Sequence, residues 1–157
     1  MAQRMGANMR FVQAAKAAGL EPVIQDLATD TRTAYEAASV LGCQLEQIVK
    51  SLVFVCGEEF LLVLTAGSNK VNQDKLSKIM GELTERASPA QVREATGYAI
   101  GGVPPIRHTK KLKCLFDPVL LTNETIYGAA GTPSSVFSVL SKTLLDLTAG
   151  SIEQFTE

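Results

Sequence analysis

The chain has no tryptophan, a single histidine, and three cysteines that form no Cys-x-x-Cys pair. Those shortages exclude a zinc knuckle and a disulfide framework, so no metal and no other cofactor is expected, and a reducing cytoplasm is the expected compartment. Apolar runs are of strand length, well short of the ~20 residues that cross a bilayer, and the N-terminus lacks the apolar centre of a secretory signal. No membrane partner is expected. Charge of one sign is not in excess either, since 15 basic and 16 acidic residues leave a formal net charge of −1. The run Arg107-His108-Thr109-Lys110-Lys111-Leu112-Lys113 is the only dense positive patch; it reads as a local contact for a phosphate backbone or as a solvated charged face. No repeat or low-complexity tract interrupts the pattern, which excludes a solenoid and extended disorder.

What remains is an ordinary globular composition, 46% hydrophobic over 157 residues. A chain of this length buries ~70% of its unfolded surface and needs no staples, so one domain over 1–157 is expected. Residues 1–20 carry Arg4, Arg10 and Lys16 with no acid, as transit peptides do. Phe11, Val12, Ala15 and Leu20 have instead the spacing of an amphipathic first helix, which is the reading adopted.

Hydrophobic period and capping signals divide the chain. A helix from Asn8 to Ala18 closes at Gly19, and Pro22 to Leu27 reads as a short strand. Thr33-Ala34-Tyr35-Glu36 has capping-box spacing and starts a helix that runs to about Leu41 and stops at Gly42. Ile48 to Cys56 and Phe60 to Ala66 read as a hairpin around Gly57-Glu58-Glu59. Asn72 caps a helix with Leu76, Ile79 and Met80 on one face, and Leu83 to Ala87 reads as a small strand. Ser88-Pro89 starts a helix that Gly97 ends. Lys113 to Leu121, kinked at Asp117-Pro118, Thr125 to Ala130 and Ser135 to Val139 read as strands, and Ser141 caps a last helix to about Leu147. Several connections are too short for crossover helices, so an α+β fold is expected, with a mixed, barrel-like curved sheet surrounded by helices.

Two elements carry candidate chemistry. Lys50 interrupts the apolar run Ile48 to Val55, where a charge is costly unless paired. It reads as an edge-strand guard or as a fixed cation that holds a phosphate or a carbonyl. In Gly101-Gly102-Val103-Pro104-Pro105-Ile106-Arg107-His108, paired glycines let backbone amides approach a ligand and paired prolines hold one shape. A plain turn has the same composition, and the spacing matches neither a dinucleotide fingerprint nor a P-loop. His108 titrates near neutrality and reads as a proton carrier or a surface residue. Gly128 to Ser135, with Gly131, Thr132 and Pro133, is a second stiffened loop able to line a pocket. Cys114 lies six residues from His108 but has no orienting third group at motif spacing, so a cysteine hydrolase is the weakest reading.

The order and spacing of Thr33 to Ala38, Gln47 to Phe54, Asn72 to Leu76, Gly97 to Pro105 and Gly131-Thr132-Pro133 resemble the YbaK/EbsC family. That family is similar to the editing insertion domain of bacterial prolyl-tRNA synthetases. The resemblance covers about residues 20–150 and implies an irregular barrel that deacylates mischarged aminoacyl-tRNA in trans. It implies mischarged tRNA, at its acceptor end, and an aminoacyl-tRNA synthetase as partners. It also implies a catalytic role for Lys50, Gly101, Gly102 and Pro105, and substrate contacts from Gly131, Thr132, Pro133, His108 and Arg107. Ile106-Arg107 stands where many relatives have Phe-Gly. With no metal cluster, carboxylate pair or triad visible, the implied chemistry is positional and electrostatic, and the vicinal ribose hydroxyl activates water. Family members accept alanine, cysteine, serine or threonine. A binding module for a nucleotide or tRNA end, without turnover, is the competing function.

Overall fold

The computed structural model describes residues 6–27, 33–106 and 108–157. Five helices are present among them: α1 (Ala7–Ala17), α2 (Ala34–Leu41), α3 (Gln73–Met80), α4 (Pro89–Thr96) and α5 (Ser141–Thr148). Eight strands accompany them: β1 (Ile24–Asp26), β2 (Val49–Cys56), β3 (Glu59–Ala66), β4 (Thr84–Arg86), β5 (Lys113–Phe116), β6 (Thr125–Ala129), β7 (Ser135–Leu140) and β8 (Ser151–Ile152).

The strands form a three-stranded antiparallel sheet, β1-β7-β6, and a five-stranded mixed sheet, β4-β2-β3-β5-β8. In the larger sheet β4, β2 and β3 are antiparallel, whereas β5 joins β3, and β8 joins β5, in parallel. A parallel bridge between Ile48 and Tyr127 ties β2 to β6, so the two sheets close into an incomplete barrel. The expected mixed, curved α+β architecture is what the chain adopts.

Local signals account for most element ends. The Thr33 hydroxyl accepts from Glu36 N–H at 3.1 Å and starts α2. Ser88 and Gln91 cap each other's backbone amides at the start of α4, with Pro89 in the first turn. That helix ends in the left-handed conformation at Gly97 (φ 82°), which glycine adopts without a Cβ penalty. The first helix belongs to the core, since Phe11 and Ala15 are fully buried and the Phe11 ring lies 4.6 Å from that of Phe137.

Two expectations fail for identifiable reasons. The strand from Lys113 stops at Phe116, and Pro118–Thr122 is a 3-10 turn. Asp117 accepts from Val119 N–H at 2.9 Å, and Pro118 has no N–H to continue a ladder. Ser141 is the first residue of α5 rather than its cap, and its hydroxyl donates to the Asn123 carbonyl at 2.6 Å. The short strand β8 and a 3-10 turn at Leu45–Gln47 were not expected. No helix among the described residues is long and apolar enough to cross a membrane.

Candidate active site

The barrel wall opens beside β2. β4 pairs with β2 only at Phe54, Val55 and Cys56, and the bridge to β6 lies at Ile48. Among the described residues, no strand pairs with the edge between them. Ala87 N–H donates to Val53 O at 3.0 Å on this edge, whereas Gly67 N–H donates to Ile48 O at 2.7 Å on the β3 side. Alternation therefore turns the backbone groups of Val49 and Ser51 toward the gap.

A cavity of about 280 Å³ fills the gap, at the small end of the ~300–1,000 Å³ typical of ligand pockets. Its apolar wall is core: Val49, Val53, Val92 and Val103 are all buried. Its rim includes Lys50, Arg86, Ile100, Gly101 and Pro133. Among the described residues that line it there are two cations and no aspartate, glutamate or histidine.

Lys50 is half-buried, and its ammonium donates to the backbone carbonyl of Asn69. Asn69 is itself held, because its side-chain amide donates to Asp117 Oδ2 at 2.9 Å. The same carboxylate oxygen accepts from Ala66 N–H at 3.0 Å. Burial pushes the lysine below the ordinary lysine range; the Arg86 and Lys70 charges push the same way, and Asp117 opposes them. Among these charges only Asp117 favours the ammonium form of Lys50. Arg86 rests its guanidinium over the Phe54 ring at 5.6 Å, a cation–π contact that holds the head group at the rim.

The two glycine loops pack on each other. A Cβ on Gly102 would lie 2.7 Å from Gly131 O and 2.9 Å from Thr132 Cα, so only glycine fits between the two backbones. Gly101 has φ 89° and sits against Pro133 at the cavity. Gly102 N–H is already donated to Ala99 O at 3.0 Å, which removes it as a free oxyanion donor. Thr132 Oγ1 donates to Ser135 Oγ and Ser135 Oγ to Asn8 Oδ1, both at 2.6 Å, so the second loop is tied to α1.

Of the residues singled out in the sequence, Lys50, Gly101 and Pro133 line one cavity. Gly102, Gly131 and Thr132 lie behind it, in the contact between the loops. Pro105 is buried and packs on Gly128 of β6. His108 is elsewhere: it lines a separate cleft of about 540 Å³ together with Cys114. Its Nε2 lies 2.6 Å from the Pro104 carbonyl, which can only accept, so that nitrogen carries the proton and ties the loop to itself. Burial holds His108 below the usual imidazole range, against the opposing effect of that bond. Arg107 lies outside the described residues. In the basic run, Lys110 is paired with Glu94 at 3.1 Å.

Cys114 is buried, and desolvation pushes its thiol up to about 12. The raised thiol and its place in a cleft separate from Lys50 both count against the cysteine-hydrolase reading. Sequence reasoning missed Arg86, Ser51 and the Asn69–Asp117 support. An Asp-Pro pair is a helix-start signal that marks the cap at Asp117, but nothing local joins that carboxylate to Asn69.

The class of fold is an incomplete mixed barrel whose open edge carries a cavity rimmed by two cations, with no acid among the described residues that line it. More particularly, the chain belongs to the aminoacyl-tRNA editing domain family, whose model matches residues 28–147. It is 31% identical over 134 residues to a proline–tRNA ligase of Stenotrophomonas maltophilia strain K279a, matching 82% of this chain and 24% of the ligase. It is 30% identical over 122 residues to the uncharacterized protein YwhH of Bacillus subtilis strain 168, matching 77% of this chain and 78% of that one. A solved structure of a protein proposed as a trans-editing enzyme for prolyl tRNA synthetase superposes with a TM-score of 0.91 at 38% identity, covering 98% of this chain and 99% of the other.

Proposed function

We propose that the protein hydrolyses, in trans, the ester of a mischarged aminoacyl-tRNA that carries a small amino acid. The observation that carries this reading is the shared cavity: Lys50, Arg86 and Gly101 surround a space of about 280 Å³ with no carboxylate or imidazole in its lining. Two cations suit the phosphate of a terminal nucleotide, and the apolar valine wall suits a short side chain. A larger side chain is excluded by overlap, the stronger filter, because a missing methylene costs only ~1–3 kcal/mol of contact.

In the proposed step, water adds to the ester carbonyl, the bond from that carbon to the ribose oxygen breaks, and the departing oxygen takes a proton from the water. The products are the free amino acid and the tRNA with its terminal hydroxyl restored. Lys50 donates one N–H to Asn69 and has two more for the substrate oxygen. With no general base among the described lining residues, the adjacent ribose hydroxyl activates the water. A reactive ester and pre-placed positive charge make this sufficient. Recognition of a particular tRNA would be shared with a synthetase.

The same lack of a base favours a second reading, a module that holds an acylated tRNA end without turnover. A panel of small-aminoacyl esters on several tRNAs, assayed with the wild type and Lys50→Ala, separates the two. Release of amino acid that Lys50→Ala abolishes supports the deacylase; binding without release from any ester supports the module.

A further inference from the structure

One polar group in the cavity wall has no partner. Ser51 lies on β2 between Val49 and Val53, and its cross-strand neighbour is Leu64. Val49, Val53 and Leu64 belong to the main core, as do Val92 and Val103 across the cavity. Strand alternation puts the Ser51 side chain on this apolar face, opposite to Lys50. Its Oγ is closed off from solvent and makes no hydrogen bond. Leaving a buried hydroxyl unmade costs ~1–3 kcal/mol, and alanine or valine at this position would complete the wall without that cost.

Resting on the deacylase reading, we propose that Ser51 is a specificity-determining residue, whose hydroxyl recognises an aminoacyl side chain bearing a hydroxyl or thiol on its Cβ. A serine hydroxyl both donates and accepts, so it pairs with a β-hydroxyl in either sense and with a thiol more weakly. Ser51 lines the cavity and no hydrogen bond holds its Oγ, so rotation about χ1 is the movement by which it would meet a ligand. The neighbouring valines of β2 carry no polar side-chain atom; of the other hydroxyl residues lining the cavity, Thr33, Tyr127 and Ser135, Thr33 caps α2 and Ser135 bonds Asn8. An alanyl group fits the same space but leaves Oγ unpaired, which ranks seryl first, cysteinyl next and alanyl last.

The test compares seryl, cysteinyl and alanyl esters on one tRNA with the wild type, Ser51→Ala and Ser51→Thr, and melting curves establish that each variant is folded. The wild type is expected to favour the seryl over the alanyl ester in kcat/KM, and Ser51→Ala to shrink that ratio by about tenfold, the worth of one hydrogen bond in a dry site. Ser51→Thr, which keeps the hydroxyl, is expected to preserve the ranking. A ratio that does not change in Ser51→Ala, or a wild type that prefers the alanyl ester, overturns the proposal. Binding of non-hydrolysable 3′-seryl and 3′-alanyl amides of adenosine gives the same comparison without turnover. If no ester is cleaved, the deacylase reading falls, and the amide affinities still decide whether Ser51 selects its ligand.

Discussion

The two clefts that hold the reactive-looking residues differ in kind. The cleft of about 540 Å³ holds the only histidine and a cysteine, the residue types that most often carry hydrolytic chemistry. Yet the imidazole is spent on Pro104 and the thiol is held up to about 12. The smaller cavity has neither residue, but combines two cations, a glycine at positive φ and an apolar wall with one unpaired hydroxyl. Residue type therefore does not locate a site here. On the proposed reading, incompletely satisfied groups at a cavity are the better guide.

Lys50→Ala should break this contrast most strongly. Loss of the ammonium is expected to lower kcat/KM for a small-aminoacyl ester by about 100-fold or more, the scale of one lost oxyanion contact. Cys114→Ser should leave the same rate within about twofold, because the thiol is protonated and lies in the other cleft. Comparable losses in both variants would reverse the ranking of the clefts.

Asp117→Ala should come next, read in stability. Its carboxylate accepts from the N–H groups of Ala66 and Val119 and from the Asn69 amide, and its removal strands those donors. A loss of about 3 kcal/mol in denaturant unfolding is expected, together with weaker catalysis as Asn69 releases the lysine. Gly102→Ala is expected to cost about 2 kcal/mol, since its Cβ meets two backbone atoms that cannot yield without moving the second loop.

The smallest effect belongs to the histidine cleft and has a definite sign. His108 has a folded pKa below its unfolded value of ~6.5, so the unfolded chain binds more protons between the two. Its contribution is complete above that value and is lost as pH falls through it. Thermal melts from pH 7.5 to 5.5 should show the wild type losing more stability than His108→Gln, which keeps a donor for Pro104 and does not titrate. Equal losses would mean that the partly buried imidazole is not held below its ordinary range.

Helix starts and the β2–β3 hairpin were legible because their causes are local. Thr33, Asn72 and Ser88 each satisfy an amide within three residues, and Pro118 and Gly97 act on their own backbone. The cavity was legible only in part. Lys50 stood out as a charge in an apolar strand, and Gly101 as half of a glycine pair. Arg86 and Ser51 carried no such mark, because an arginine in a three-residue strand and a serine between valines are unremarkable until their surroundings are known. His108 was the opposite case, conspicuous in the sequence and committed to its own loop in the fold.

By itself the sequence determined the class of fold and the place of a half-buried cation in an apolar strand. Those follow from periodicity, capping and composition, which act over a few residues. Only the tertiary structure decided which chemistry-bearing groups share a cavity and which are already satisfied. That depends on contacts such as Asn69 with Asp117 and Gly102 with Gly131, where residues far apart in the chain meet once both sheets have closed.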